Sequence, residues 1–297
     1  RAGTGHDFKH YKRATVLRRI ERRMQVTAQP DLAAYYRFLL TSPEETKALL
    51  ADMLIGVTNF FRDREAFEAL ERDVVPQLVS AAVSAHPETE EIRVWSAGCS
   101  TGEEVYSLAM LLNDQMQLDA SQAALQLFAT DIDERAISIG RSGLYPQAII
   151  TDVPPTRLRH YFSKENQHYR IRKELREKVL FAKHSLLSDP PFSHMDLIVC
   201  RNLLIYLDRE VQREILQMFH FALRPGGFLF LGTSESADAC HDLFAPVDKR
   251  NRIFRAKTGT GSSRRAPTMP RGGYVRTDIT RQAPPSNKPR KLSFADI

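Results

Sequence analysis

"VWSAGCSTGEEVYS", residues 94–107, decides the fold of this chain. An apolar run meets a turn of small residues and then an amphipathic run, the order strand, turn, helix that opens a βαβ unit. Helix amino termini favour anions, and a phosphate-binding loop adds a lysine. This turn has no Gly-Lys-Ser/Thr, lacks the spaced GxGxxG of dinucleotide folds, and is followed by two carboxylates, Glu103 and Glu104. A nucleoside triphosphate or a nicotinamide dinucleotide is therefore a poor fit.

Ala97, Gly98, Ser100 and Gly102 are small enough for a ligand to reach the backbone closely. Close approach combined with negative charge suits a cationic, hydroxyl-bearing ligand that carries no phosphate. S-adenosylmethionine meets that description, with a sulfonium and an ammonium on a ribose–adenine body. The second strand, "ALQLFATDID" (124–133), ends in Asp131, where an acid can accept both ribose hydroxyls. Asp131 could instead cap the next helix, although Asp133 fits that role better. "VCRNLLIYLD" (199–208) sets Arg201, Asn202 and Tyr206 directly after a buried apolar run, at the same mouth of the sheet. "GVTNFFRD" (56–63) places Thr58 and Arg62 before a helix, where spacing alone leaves them as caps, surface charge or ligands.

Working outward, the first 85 residues read as helical, with stretches at 11–26, 30–41, 43–55 and 63–84. Ser42 before Pro43, with Glu45 behind it, is a helix start. In 11–26, Val16 or Leu17, Ile20 and Met24 form an apolar stripe, and arginines fill the other faces. From 86 to 257 strands at 91–98, 124–133, 178–185, 195–202, 225–236 and 251–257 alternate with helices at 101–116, 134–145 and 208–223. That pattern implies an α/β fold, a largely parallel sheet covered on both faces. The polar stretch 164–178 reads as a small side structure or hairpin off the sheet. Residues 258–297 are rich in Gly, Ser, Pro and Arg without periodicity, and are expected to be disordered.

The net charge of +6 is unevenly spread: residues 1–26 hold eight Lys/Arg against two acids, and residues 256–297 nine against two. The body between them is therefore acidic, which weakens the case for nucleic acid that a pI near 9.3 first raises. Three cysteines without a CxxC give neither a disulfide framework nor a zinc site, and no metal is expected. No apolar run is long enough to span a membrane and no signal peptide is visible, so a cytoplasmic protein is expected.

"IGVTNFFRD", "VWSAGCSTGEEVYSLA", "FATDIDERAISIGRSGLY", "DLIVCRNLLIYLD" and "LRPGGFLFLGTSES" resemble, in order and spacing, the CheR-type methyltransferases of bacterial chemotaxis. The likeness covers about residues 8–256, and the front, "HDFKHYKRATVLRRIERRMQV", looks most like versions fused to a CheB-type esterase and signalling domains. The resemblance implies an S-adenosylmethionine-dependent protein-glutamate O-methyltransferase acting on acidic receptor coiled coils. It also implies a small helical domain before a Rossmann-like methyltransferase domain that bears a small β-subdomain, here near 160–178. By motif it carries cofactor contacts to Thr58, Arg62, Glu104, Asp131, Ser185, Leu186, Arg201 and Asn202, and the methyl-transfer site to Arg62 and Tyr206. Arg19 matches a basic position in the receptor-facing helix, and Arg18, Arg22 and Arg23 beside it could draw in acidic helices.

Two departures stand out: Gly56 and Ser185 occupy positions where the family often has asparagine. The segment "YFSKENQHYRI" is short and lacks an Arg-Gly-x-Gly run, so independence from a receptor's pentapeptide tether is expected. The alternative reading is a non-catalytic S-adenosylmethionine-binding signalling module. Amino methylation of nucleic acid is approached only by "SDPPF" (188–192), a near miss of the Asp/Asn-Pro-Pro-Tyr/Phe motif.

Overall fold

A computed structural model describes residues 8–54, 56–84 and 91–258. The expected disordered tail falls, from residue 259 on, outside the described residues. Three helices come first: α1 (Arg13–Val26), α2 (Leu32–Thr41) and α3 (Pro43–Met53). Asp31 caps α2 by accepting from the Ala34 amide at 2.7 Å. Ser42 caps α3 through the Glu45 amide at 3.3 Å, with Pro43 at the first helical position, as expected from sequence.

The stretch 63–84 is two helices, α4 (Arg64–Asp73) and α5 (Val75–Ser84), rather than one. Pro76 lacks the amide that would continue the ladder across Val74. These two helices also pack differently from α1–α3. Phe67, Leu70, Val74, Leu78 and Val79 share one core with the central sheet.

That sheet has seven strands, β1 (Glu91–Ala97), β2 (Ala124–Asp131), β6 (Val179–Lys183), β7 (Met195–Cys200), β8 (Leu223–Leu231), β9 (Phe244–Asp248) and β10 (Ile253–Ala256). Their order is β6-β2-β1-β7-β8-β10-β9. The first five are parallel, and β10 runs antiparallel between β8 and β9. Along each inner strand the side chains alternate between two apolar clusters. Ile92, Val94, Leu127, Leu197 and Phe230 face the layer of α4, α5 and α6 (Glu103–Leu118). Trp95, Ile198, Cys200 and Leu229 face that of α10 (Arg209–Ala222). This is the period-2 alternation of a sheet buried on both sides.

Helix α7 (Glu134–Ser142) is shorter than the sequence implied, because Gly143 adopts φ +62° and ends it. The next residues form β3 (Leu144–Pro146), which joins β4 (Phe162–Glu165) and β5 (His168–Ile171) in a separate three-stranded antiparallel sheet. Helices α8 (Pro155–Tyr161) and α9 (Lys173–Arg176) flank it. The polar stretch 164–178 thus contributes one hairpin of that small sheet, and β3 and β9 were not legible beforehand. Among the described residues no helix is long and apolar enough to cross a membrane.

Candidate functional site

Strand β2 lies on one side of β1 and β7 on the other, so the chain reverses direction across the sheet at β1. The carboxyl ends of strands at such a switch point form the crevice where open α/β sheets bind ligands. The turn after β1 is shaped for close approach. Gly98 has φ +79°, and a Cβ there would stand 2.8 Å from Leu203 Cδ2. A Cβ on Gly56 would stand 2.7 Å from Ser100 Oγ, so the 56–63 loop lies against this turn and a larger residue there would require the Ser100 side chain to shift.

The amides of Gly98, Cys99, Ser100 and Gly102 are engaged within the protein rather than held out for a phosphate. Ser100 N donates to Asp131 Oδ2 at 2.9 Å, and Gly102 N donates to the Cys99 carbonyl at 3.0 Å. Asp131 also accepts from Asp133 N at 2.9 Å, which fixes its carboxylate while each oxygen keeps a lone pair for a hydroxyl. Asp133, as expected, is the helix cap, accepting from the Arg135 and Ala136 amides.

Glu104 lies under the turn, where its Oε1 accepts from Ser96 Oγ at 2.9 Å. Arg201 Nη1 stands 3.6 Å from Glu104 Oε2, and Arg201 Nη2 donates to Asp63 Oδ2 at 2.8 Å. The Arg201 side chain is only 1% exposed, and its guanidinium is sandwiched between the Phe67 and Phe230 rings at 5.1 and 4.6 Å. The side chain of Arg201, expected as a ligand contact, is a buried clamp between Asp63 and Glu104. Burial pushes the Glu104 carboxyl up, partly offset by Arg201 and the Ser96 hydroxyl; Arg62 is close enough to oppose the shift as well. Burial likewise raises Asp131, against the amides of Asp133 and Ser100.

Arg62 sits on a bend whose flanking residues, Phe61 (φ +51°) and Asp63 (φ +57°), are both left-handed. A bulky residue in that region is a true outlier, costing on the order of 1–2 kcal/mol. The bend is held by Phe61 N donating to Ser107 Oγ at 3.0 Å, by Asp63 on Arg201, and by the Arg157 guanidinium over the Phe61 ring at 5.3 Å. Arg62 itself donates to the Val57 carbonyl, closing the loop that carries the half-buried Thr58. Ser100 (φ +48°) and Asn202 (φ +58°) are left-handed too, so strained backbone gathers around this crevice, as it does at functional sites.

The loop after β7 is fixed by a residue the sequence reading missed. Glu235 is 5% exposed and accepts three backbone amides, Gly232 at 2.7 Å, Asn202 at 3.0 Å and Ile205 at 3.2 Å. It thereby holds Asn202 and the short turn 204–206 that bears Tyr206. Its only sequence signal is an acid just after an apolar strand, in "FLFLGTSES".

On the β6 side, Ser185 Oγ accepts from Leu187 N at 3.3 Å and Leu186 is buried in the second core cluster. Both side chains are engaged with their own turn and core. Phe192 of "SDPPF" packs edge-on against Trp95 at 5.3 Å, so that motif builds core. Among the basic residues of α1, Arg18 and Arg22 are exposed and Arg19 is half-buried. Arg23 is a correction: it turns inward, donating to both Glu45 oxygens at 2.9 and 2.7 Å, because a buried Glu45 shared with Tyr35 needs a counter-charge. Among the described residues no group of three or more His, Cys, Asp or Glu is placed to hold a metal ion.

Residues 56–253 match the family model described as the CheR methyltransferase SAM binding domain, and residues 1–54 the CheR methyltransferase all-alpha domain. The chain belongs to the CheR methyltransferase family. Its cofactor is accordingly S-adenosylmethionine, and the carboxylate-lined, lysine-free turn fits that cation. An uncharacterized 104.1 kDa protein in the hypE 3'region of Rhodobacter capsulatus is 43% identical over 84% of this chain, which spans only 26% of that protein. The chemotaxis protein methyltransferase of Escherichia coli is 35% identical over 76% of this chain and 77% of its own length. Chemotaxis protein methyltransferase 1 of Pseudomonas aeruginosa is 32% identical, with 83% and 90% covered.

The raised carboxyls predict a pH dependence. Were Asp131 to receive the cofactor's hydroxyls and Glu104 its positive charge, binding would favour their ionised forms, and both groups hold their protons to a higher pH than usual. Affinity for S-adenosylhomocysteine should therefore fall on acidification along a limb centred above the ordinary Asp range near 3.9. The same shifts act oppositely on the empty protein, whose stability gains from these groups as pH drops and loses as it rises through their folded-state pKa values. Titration calorimetry and thermal melts across the acid range check both signs.

Proposed function

We propose that this chain transfers a methyl group from S-adenosylmethionine to glutamate side chains on the coiled coils of methyl-accepting chemoreceptors, without a pentapeptide tether. The single observation that carries the reading is the convergence on one switch point of the pinned Arg62 bend, Glu104 and the Glu235-held loop of Tyr206. The names of the Escherichia coli and Pseudomonas aeruginosa relatives support a chemotaxis substrate.

When bound, S-adenosylmethionine supplies an electrophilic methyl on a positively charged sulfur. A glutamate carboxylate, with an ordinary pKa near 4.3, is already anionic at neutral pH and needs no general base. One carboxylate oxygen bonds to the methyl carbon as the carbon–sulfur bond breaks, its electron pair passing to sulfur. The protein's task is alignment and exclusion of water, which can contribute roughly 7–11 kcal/mol.

In this reading Asp131 accepts the ribose hydroxyls and Glu104 faces the cationic end of the cofactor. Ala97 and Gly98 admit it to the backbone, Thr58 and Asn202 line its rim, and the 185–186 turn borders the adenine. Arg62 steers the incoming carboxylate and Tyr206 shapes the methyl pocket. Arg201 acts through Glu104 and Asp63. Arg18, Arg19 and Arg22 draw the acidic receptor helix by long-range attraction. The receptor-facing unit comprises α1–α3, with α4 and α5 in the methyltransferase unit; their shared core with the sheet supports that division. A longer chain including a CheB-type esterase is in keeping with the size of the Rhodobacter relative.

The test is transfer of labelled methyl from S-adenosylmethionine to a panel of receptor cytoplasmic fragments, scored as alkali-labile ester. Arg62→Ala should lower turnover about a hundredfold, and by more than it lowers cofactor affinity, since Arg62 is assigned both to the cofactor site and to steering of the second substrate. Undiminished turnover in that variant would remove Arg62 from the mechanism.

A further inference from the structure

Residues 8–12 precede the basic helix α1 and pair with the loop that follows β7. Lys12 N donates to the Tyr206 carbonyl at 2.8 Å, and Asp208 N donates to the His10 carbonyl at 3.0 Å. Between them Tyr11 and Leu207 form an antiparallel bridge. This short ribbon ties α1 to the loop that carries Tyr206. Tyr11 is half-buried against the apolar cluster that contains Leu186 and Leu204, with Phe8 edge-on to its ring at 5.0 Å. Its backbone is thus paired beyond β7. Its phenol, however, is within reach of the charge of Asp131 at the end of β2: burial, and behind it Asp131, push the phenol up to about 12. Strand β1 lies between β2 and β7, so the loop after β7 to which Tyr11 pairs borders the crevice at the end of β1. The Tyr11 phenol supplies a hydrogen-bond donor on that side of the crevice.

We propose that Tyr11 is a cofactor-site residue whose ring closes the crevice over the adenosyl group, held in place by the pairing of residues 10–12 with 206–208. This rests on the S-adenosylmethionine site described above and extends it to the amino-terminal segment. Its consequence is a mechanical link: the strap joins the helix proposed to meet the receptor directly to both the cofactor and the loop of Tyr206.

The test uses the full chain, titrated calorimetrically with S-adenosylhomocysteine, and hydrogen exchange over residues 8–12 with and without that ligand. Tyr11→Ala should weaken binding about tenfold or more, whereas Tyr11→Phe, which keeps the ring, should lose only about two- to fivefold. The thermal midpoint of the ligand-free Tyr11→Phe variant should match that of the parent. In the parent protein, exchange at Lys12 should slow at saturating ligand. Tyr11→Ala binding within twofold of the parent, or exchange over 8–12 indifferent to ligand, would overturn the proposal. Absence of binding by the parent protein would instead defeat the underlying site, so the two failures are distinguishable.

Discussion

Glu235→Ala is expected to lose methyl transfer and stability together. Its carboxylate receives three backbone amides, from Gly232, Asn202 and Ile205, and among the described residues no other acceptor is paired with these groups. A buried donor left unsatisfied costs about 1–3 kcal/mol, so alanine should destabilise the fold by about 3 kcal/mol or more, even if water enters. The loop of Asn202 and Tyr206 loses its anchor in the same step, and turnover should fall beyond the effect of Arg62→Ala. The Glu235→Gln variant is a graded control. The oxygen of the new side-chain amide can keep the N–H groups of Gly232 and Asn202, while its NH₂ meets the Ile205 N–H, donor against donor. Urea unfolding and the labelled-methyl assay on Glu235→Gln and Glu235→Ala should therefore rank parent, Gln, Ala on both axes. Alanine with parental stability and turnover would show that the loop is held by something else.

Arg201→Met should be nearly as severe, through charge rather than unmet amides. The guanidinium is wedged between two aromatic rings and faces Asp63 at 2.8 Å and Glu104 at 3.6 Å. Removing one partner of a buried ion pair typically costs about 3–5 kcal/mol, and the partial exposure of Asp63 places this case near 3 kcal/mol. Methionine fills much of the slot between the rings, so the loss reports charge more than cavity. The signature is in the rescue. Adding Glu104→Gln should recover part of the stability, because an amide needs no counter-charge, while cofactor affinity stays low. The single Arg201→Met variant should also regain stability as pH falls, since an unpaired Glu104 carboxyl is favoured in its protonated form. A double-mutant cycle by urea unfolding measures this coupling; additive effects would mean that Arg201 and Glu104 do not interact.

These two residues also mark what could be read from sequence and what could not. The strand-turn-helix at 94–107 and the acid at Asp131 follow from local patterns, and so do the helix caps at Ser42 and Asp133, because each is decided within a few residues. The clamp is not local: Arg201 and Asp63 are 138 positions apart, and Glu235 reaches Asn202 across 33. No spacing rule links such positions until the sheet order is known. Arg62 was legible by motif, but the left-handed Phe61 and Asp63 that present it carry no glycine to announce them. Arg23 was misplaced for the opposite reason. On a helix crowded with arginines only the packing of α3, which brings Glu45 beneath it, separates an inward guanidinium from the outward ones. The helices α4 and α5 read as neighbours of α1–α3 because all are helical, whereas the apolar face of α4 is matched to Phe230 on β8.

The most direct measurement is titration calorimetry of the whole protein at neutral pH with S-adenosylhomocysteine and, separately, with a nicotinamide dinucleotide. A crevice whose turn amides at Gly98, Cys99, Ser100 and Gly102 are bonded internally and whose walls carry carboxylates should give saturable heat with the first and none with the second. Heat with the dinucleotide and silence with the sulfur compound would contradict the account at its root.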